Sequence, residues 1–126
     1  MPSAREDYLL RLIAQAAAAL RRLREHLAGG GGEEVVRDAG AAIGELLGPR
    51  RPTLEILDAP TASMLLEHDE RVAHWIALLR VQAEAARTSG AAEHAASLEQ
   101  RAAALELALN EASRKLAVST PTELKH

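Results

Sequence analysis

The strongest constraint on the fold is a pair of long amphipathic segments in residues 69–117, joined at Ser89 and Gly90. In each segment apolar residues recur every three or four positions, which places them along one side of an α-helix. Gly90 has no β-carbon and can take the left-handed conformation that ends a helix. A tight antiparallel hairpin is therefore expected, with a buried face formed by Val72, Trp75, Ile76, Leu79, Ala83 and Ala86 in its first helix and by Ala95, Leu98, Ala102, Leu105, Leu109, Ala112 and Leu116 in its second.

Residues that favour capping positions predict where helices begin. Ser3 and Glu6 fit a capping box, in which the serine oxygen and the glutamate carboxylate each accept a hydrogen bond from an amide at the helix start. Asp69 is predicted to cap the first hairpin helix in a similar way. A further helix is thus expected from Ser3, with a buried face of Leu9, Leu12, Ile13, Ala16, Leu20, Leu23 and Leu27.

Four consecutive glycines, Gly29 to Gly32, follow this first helix. A phosphate-binding loop would need a preceding strand and a following Gly-Lys-Ser/Thr, whereas here a helix precedes and Glu33 and Glu34 follow. The run is therefore interpreted as a flexible, mobile linker.

The next helix is predicted over residues 33–47, where Gly48 ends it and Pro49 prevents its continuation. Its Gly40 and Gly44 share one face and predict the close approach of a neighbour. One or two short helices are expected in residues 50–68, because Pro52, Asp58 and Pro60 interrupt that stretch. The residues expected to be buried here are Val36, Ala39, Ile43, Leu46 and Leu47, followed by Leu54, Leu57, Met64, Leu65 and Leu66.

The composition agrees with an all-α fold. The 126 residues include no Phe, one Tyr and one Trp, and alanine and leucine supply most of the apolar content. No segment is predicted to form a strand. The prediction is one helical domain over residues 1–118, built of antiparallel helical hairpins in a bundle or a tetratricopeptide-like arrangement, with four long helices and one or two short ones. Residues 119–126 are predicted to form a flexible tail.

Charge and cysteine content exclude several classes of function. The formal net charge is −3, from 15 basic and 18 acidic residues, and a nucleic-acid or anionic-membrane binder would need a basic surplus. The absence of cysteine removes disulfides and thiol chemistry. Glu6, Asp7 and Arg11 make the amino-terminal region unsuitable as a secretory signal or a membrane span, so a soluble cytoplasmic protein is expected.

The densest group of potential ligands contains His68, Glu70 and His74, with Glu70 and His74 four residues apart on one helix face. A helix start with ordinary surface pairing explains the same residues. His26 and His94 lie beside glutamates, but no neighbouring residue makes either an evident general base. No catalytic, cofactor or metal site is therefore assigned, and Trp75 is interpreted as a core residue.

Several short motifs resemble an uncharacterised family of small bacterial all-helical proteins: Asp7-Tyr8-Leu9 with Arg11-Leu12-Ile13, Leu46-Leu47-Gly48, Leu65-Leu66, and the hairpin with Ala95, Ala102 and Leu105. The hairpin also resembles a tetratricopeptide helix pair, in which Ala83, Gly90, Ala95 and Ala102 would occupy the helix crossings. It departs from that pattern in having Ala86 and Ala92 where large aromatic residues are usual. The resemblance implies a fold and no particular activity.

The expected function is a non-catalytic protein–protein interaction module, either a homodimer or a protein that binds an unidentified partner. One alternative is a small metal-binding protein or enzyme that uses His68, Glu70 and His74. A regulator that contacts nucleic acid is a third possibility, through Arg21, Arg22, Arg24, Arg50 and Arg51.

Overall fold

The computed structural model describes the backbone of residues 3–124 and the side chains of residues 3–116. The described chain is all-α, which confirms the predicted fold class of four long helices with short ones between them. The elements are α1 (Ala4–Ala28), α2 (Gly32–Leu47), a 3₁₀ turn (Gly48–Arg50), α3 (Arg51–Ile56), α4 (Ala59–Leu66), α5 (Asp69–Thr88) and α6 (Ala92–Leu124).

Helix α5 lies at the centre of the bundle. It packs against α1 and α2 on one side and against α6 on the other, while α4 packs against α5 and α6. Trp75 is only 1% exposed and is the largest side chain of the core, as its apolar stripe predicted. Around it lie the fully buried Ile43, Leu46, Leu47, Leu54, Leu66, Leu78 and Leu105.

The glycine run forms a short, hydrogen-bonded turn between α1 and α2. The amide of Gly29 donates to the carbonyl oxygens of Glu25 and His26, and Gly30 has a positive φ of 97°. Gly32 is already the first residue of α2 and is buried. A β-carbon at Gly32 would lie 3.3 Å from the carbonyl oxygen of Ala85, so glycine permits the close approach of α2 to the end of α5. The predicted mobility of this run stays a prediction.

The predicted helix caps are partly correct. Ser3 caps α1 as expected, since its side-chain oxygen accepts a hydrogen bond from the amide of Glu6 at 3.1 Å. The assignment of Asp69 as the cap of α5 is wrong, because the cap position is His68 and Asp69 is the first helical residue. Glu67 ends α4 with a φ of 69°, and the extended His68 that follows has a carbonyl oxygen that accepts from the amides of Arg71 and Val72.

The burial predicted for α2 and α4 is partly wrong. In α2 the fully buried valine is Val35, whereas Val36 is only half-buried. In α4 the exposed fractions of Met64 and Leu65 are 71% and 37%. The two turns of α4 bury Ala62 and Leu66, four residues apart, so the residues between them point outward.

The burial predicted for α6 is wrong in its second half. Leu105 is fully buried, but Ala112 is exposed and Leu116 is 68% exposed. This difference arises because α6 extends beyond the start of α5. The helix continues to Leu124 through most of the predicted tail, whose last two residues lie outside the described residues. The flexibility of that tail stays a prediction.

Candidate functional site: the groove between α1 and α6

A groove of about 530 Å³ lies between α1 and α6, with α5 as its floor. It forms because α1 packs chiefly on α2 and α5, whereas α6 packs on α5 and α4. A strip of the central helix is consequently left without a covering helix. The groove is lined by Arg24 of α1, by Ala73, Ile76, Ala77, Arg80, Val81, Glu84 and Arg87 of α5, and by Glu99, Glu106, Leu109 and Asn110 of α6.

The floor of the groove is a single stripe of α5. Ala73, Ala77, Arg80 and Glu84 follow one another at spacings of four, three and four, so they lie along one side of the helix. The first two are alanines, and Leu109 of α6 lies beside that half of the groove. Small side chains allow another helix to approach closely. The half of the groove beside Ala73 and Ala77 is therefore apolar, while the half beside Arg80 and Glu84 is charged.

Ion pairs between α5 and α6 form the charged wall. The two terminal nitrogens of Arg80 donate to the two carboxylate oxygens of Glu106, at 3.2 and 2.8 Å. Arg80 Nε also lies 3.9 Å from Glu99, and Arg87 Nη2 lies 3.5 Å from the same carboxylate. Hydrogen bonding to Arg80 lowers the pKa of Glu106, and the same contact raises the pKa of Arg80. Both groups are therefore charged at neutral pH.

Two further charged groups of the groove have no partner among the described residues. The guanidinium of Arg24 makes no ion pair or hydrogen bond there, and neither does the carboxylate of Glu84. Only the backbone carbonyl of Glu84 is engaged, by the hydroxyl of Thr88 at 2.9 Å. The groove thus offers one cation and one carboxylate to a ligand.

A second cavity, of about 520 Å³, lies over the line where α1 and α2 pack together. Its polar lining includes Gln15, Arg22, His26, Asp38 and Glu45. The two helices are already joined beside it, because His26 Nε2 lies 3.2 Å from a carboxylate oxygen of Glu34. The second cavity therefore lies along the contact between two packed helices, whereas the groove lies between two separated ones.

Arginines donate hydrogen bonds to carbonyl oxygens near the carboxyl ends of α2, α3 and α4. Arg71 of α5 is 7% exposed, and its Nε and Nη2 donate to the carbonyl oxygen of Leu46 at 3.0 and 2.8 Å. Burial lowers the pKa of Arg71. Arg101 of α6 donates to the carbonyl oxygen of Leu54 at 2.7 Å, and Arg50 donates to the carbonyl oxygen of Leu65 at 3.2 Å. Each recipient lies near a helix end, where carbonyls lack intrahelical partners and the dipole favours a cation.

Two of the arginines considered for nucleic-acid binding, Arg50 and Arg51, already bind groups of the protein itself. Arg50 donates to α4, and Arg51 donates to the carbonyl oxygen of Gly40 at 2.8 Å and to Glu55 at 3.1 Å. A β-carbon at Gly44 would lie 2.7 Å from Arg51 Nη1, so that glycine makes room for the guanidinium. The predicted close approach to Gly40 and Gly44 is therefore made by side chains, since Gln82 lies over Gly40 in the same way.

The residues of the alternative metal site, His68, Glu70 and His74, are not brought together as a group of ligands. His74 Nδ1 lies 2.7 Å from the backbone carbonyl oxygen of Glu70, and His68 occupies the cap of α5. Within residues 3–116, no three histidine, aspartate or glutamate side chains come together in a way that could hold a metal ion.

Sequence reasoning missed the groove, although one signal for its charged wall was present. Arg80 and Arg87 are seven residues apart on α5, and Glu99 and Glu106 are seven residues apart on α6. In an antiparallel hairpin such matching intervals place opposite charges level with each other. The open stripe of α5 gave no comparable signal, because alanine occurs on both buried and exposed faces.

No protein-family model matches the chain, and no curated protein or solved structure matches it either. The resemblance to a bacterial all-helical family and the tetratricopeptide-like pairing therefore stay predictions. Across the described part of the chain, no helix has both the length and the apolar character that crossing a membrane requires.

Proposed function

We propose that this chain is a non-catalytic interaction module whose groove between α1 and α6 binds an α-helix of a protein partner. The observation that carries the proposal is the uncovered stripe of α5. The central helix of a bundle normally has neighbours on all sides, and here one side lacks a neighbour between the α6 wall and Arg24 of α1. A helix is the shape that completes such an arrangement.

The chemistry of the groove favours an amphipathic helix. Its apolar side would pack on Ala73 and Ala77, where the floor allows the two helix axes to come within about 8–10 Å. A carboxylate on the same helix would complement Arg24, and a cation would complement Glu84. These exposed charges would set the direction of the bound helix more than its affinity.

The charged wall supports binding rather than proton transfer. A general acid or base at neutral pH needs a pKa near that pH. The pKa of Glu106 is instead lowered by Arg80, and the ion pairs hold α6 against α5. They lie along the contact between the floor of the groove and its α6 wall.

The proposal can be tested by photo-cross-linking, because the chain contains no cysteine and a single introduced thiol is unique. A benzophenone is attached to Ala73→Cys, on the exposed groove floor, and the labelled protein is irradiated in an extract of the cells that produce it. The matched control carries the same label at Thr53→Cys, which is exposed on α3 and outside the groove. The fold of both variants is checked by circular dichroism.

The expected result is a discrete polypeptide adduct from position 73 that position 53 does not give. Mass spectrometry should place the partner's cross-linked residue in a helical, amphipathic segment. A position 73 that gives no adduct, or only those that position 53 also gives, would show that the groove is not a binding surface.

A further inference from the structure

The outer surface of the α1–α2 pair supports an inference that is independent of the groove. This surface, the α1–α2 face, surrounds the second cavity and carries Gln15, Ala18, Arg22, Asp38, Ala41 and Glu45. We infer that two copies of this chain pair through the α1–α2 face, about a two-fold axis that runs along the second cavity. The occupant follows from the uncovered position of this face, from the small side chains at its centre and from the order of its charges.

The α1–α2 face is not covered by the other helices. Helix α5 packs on α1 and α2, yet the second cavity is lined by residues of α1 and α2 alone. Arg51 of α3 contacts α2 at Gly40 and Gly44, and neither glycine lines the second cavity. The α1–α2 face is therefore open to a second copy.

The contact between His26 and Glu34 shows which residues of the two helices are level with each other. Helices α1 and α2 are antiparallel on either side of the glycine turn, and His26 Nε2 lies 3.2 Å from a carboxylate oxygen of Glu34. Residues the same number of positions from this contact are level, because both helices have the same rise per residue. Arg22 and Asp38 are each four positions away from it and are therefore level.

Alanines occupy the centre of the α1–α2 face. The residues seven and eight positions from the same contact are Ala18, Ala19, Ala41 and Ala42. Ala41 is exposed, and Ala18 and Ala42 are half-buried. Small side chains let the helices of a second copy approach closely, so that four helices bury these alanines between them.

The charges of the α1–α2 face are complementary to themselves. Rotation by 180° about an axis along the second cavity exchanges α1 and α2 and keeps each residue at its level, so α1 of one copy lies on α2 of the other. Arg22 of each copy then faces Asp38 of the other. Gln15 and Glu45, each eleven positions from the His26 contact, face each other in the same way. Within residues 3–116 none of these four side chains forms a hydrogen bond or an ion pair.

The charges also select this axis over the axis perpendicular to both helices. A perpendicular axis through the alanines would place α2 of one copy on α2 of the other. Asp38 of each copy would then face Glu45 of the other, so two carboxylates would meet twice. Like charges placed opposite each other disfavour an interface, which leaves the axis along the second cavity.

Sedimentation velocity of the full chain over a concentration series tests this inference. The wild type should be a dimer that dissociates on dilution. Ala41→Arg should be monomeric throughout the series, since it places a long charged side chain where the alanines of the two copies meet. The matched control is Ala104→Arg, at an exposed position of α6 that lines neither cavity, and it should dimerise as the wild type does. Circular dichroism checks that both variants are folded.

Charge reversal tests the register of the two copies. Arg22→Glu alone and Asp38→Arg alone should each raise the dissociation constant roughly tenfold, because each places like charges opposite each other twice. An equimolar mixture of the two variants should form a mixed dimer, in which both contacts again join opposite charges. Its dissociation constant should be within about threefold of the wild-type value.

A wild-type chain that stays monomeric at every concentration would overturn the inference, as would an Ala104→Arg variant that dissociates as completely as Ala41→Arg. A mixture that associates no better than its separate components would overturn the pairing of Arg22 with Asp38 between copies. None of these results would affect the groove, because its test uses Ala73 of α5, which is not part of the α1–α2 face.

Discussion

The two sides of α5 are held by different kinds of polar contact. Toward α2 the contacts are buried or partly buried: Arg71 donates to the carbonyl oxygen of Leu46, and Gln82 donates to that of Val36 at 3.0 Å. Toward α6 they are partly exposed ion pairs, formed by Arg80 and Arg87 with the glutamates of α6. The first side is closed, and the second borders the open groove.

This difference has an energetic meaning. A buried donor that is removed leaves a carbonyl without water or a partner, so its loss is costly. A solvated ion pair that is removed is replaced by hydration, so its loss costs little. The α2 side is therefore expected to determine global stability, while the α6 side shapes a surface that a partner can use.

The largest effect is expected for Arg71→Met, which keeps the apolar stem and removes the guanidinium. The carbonyls of Leu46 and Leu47 at the end of α2 would lose their donor, lowering the free energy of unfolding by about 2–3 kcal/mol. Urea unfolding followed by the fluorescence of Trp75 measures this change. Arg114→Met on exposed α6 is the control and should shift it by less than about 0.5 kcal/mol. Equal effects of the two changes would remove the distinction between the two sides.

Gln82→Leu should have a smaller effect on the same side. Gln82 is 8% exposed, and its amide donates to the carbonyl of Val36, which lies within α2 and has a helical partner as well. The expected loss in the free energy of unfolding is about 1 kcal/mol. Gln100→Leu, at an exposed position of α6, provides the comparison in the same urea experiment. A loss as large as that of Arg71→Met would show that helix-end carbonyls are not special.

Arg80→Met tests the other side of α5. The side chain is 41% exposed, so the ion pairs with Glu106 and Glu99 are screened, and the expected loss is no more than about 1 kcal/mol. The loss should shrink further in high salt, whereas that of Arg71→Met should not. Urea unfolding of both variants at low and high salt measures this difference in salt dependence. A salt-independent loss for Arg80→Met would mean that this contact is effectively buried.

The smallest expected effect is on the loss of stability at low pH. The pKa of Glu106 is lowered from its ordinary value of 4.5 in the folded state, so the carboxylate stabilises the fold fully above that value. This stabilisation is lost as the pH falls through the lowered pKa. Between about pH 6 and about pH 3, Glu106→Gln should therefore lose less stability than the wild type does. Arg71→Met should show the wild-type acid loss, since no carboxylate of residues 3–116 forms a hydrogen bond or ion pair with Arg71. A reduced acid loss there would contradict the assignment.

The sequence predicted the parts of the fold that depend on strong periodicity. Trp75, Ile76 and Leu79 lie in a clear helical stripe of α5, and their burial followed from it. Gly48 and Gly90 ended helices where expected, and each has a positive φ. A regular pattern combined with a helix-ending glycine leaves few alternative structures.

The errors concern residues whose burial depends on neighbouring helices, which the local sequence pattern does not specify. Met64 and Leu65 are as apolar as Leu66, and only the orientation of a two-turn helix decides which of them is buried. Leu116 continues the stripe of Leu105, but burial also needs α5 beside it, and α5 begins too late. The groove was missed for the same reason, because an uncovered stripe of alanines depends on the positions of three helices.

The most direct test of the central claim, that the open stripe of α5 is a binding surface, is the alkylation rate of Ala73→Cys. The rate is compared between dilute purified protein and an extract of the producing cells, with Thr53→Cys as the reference thiol. The account predicts fast alkylation at position 73 in dilute protein and clear protection in the extract, with position 53 reacting equally in both. Equal rates at position 73 in the two conditions would contradict it.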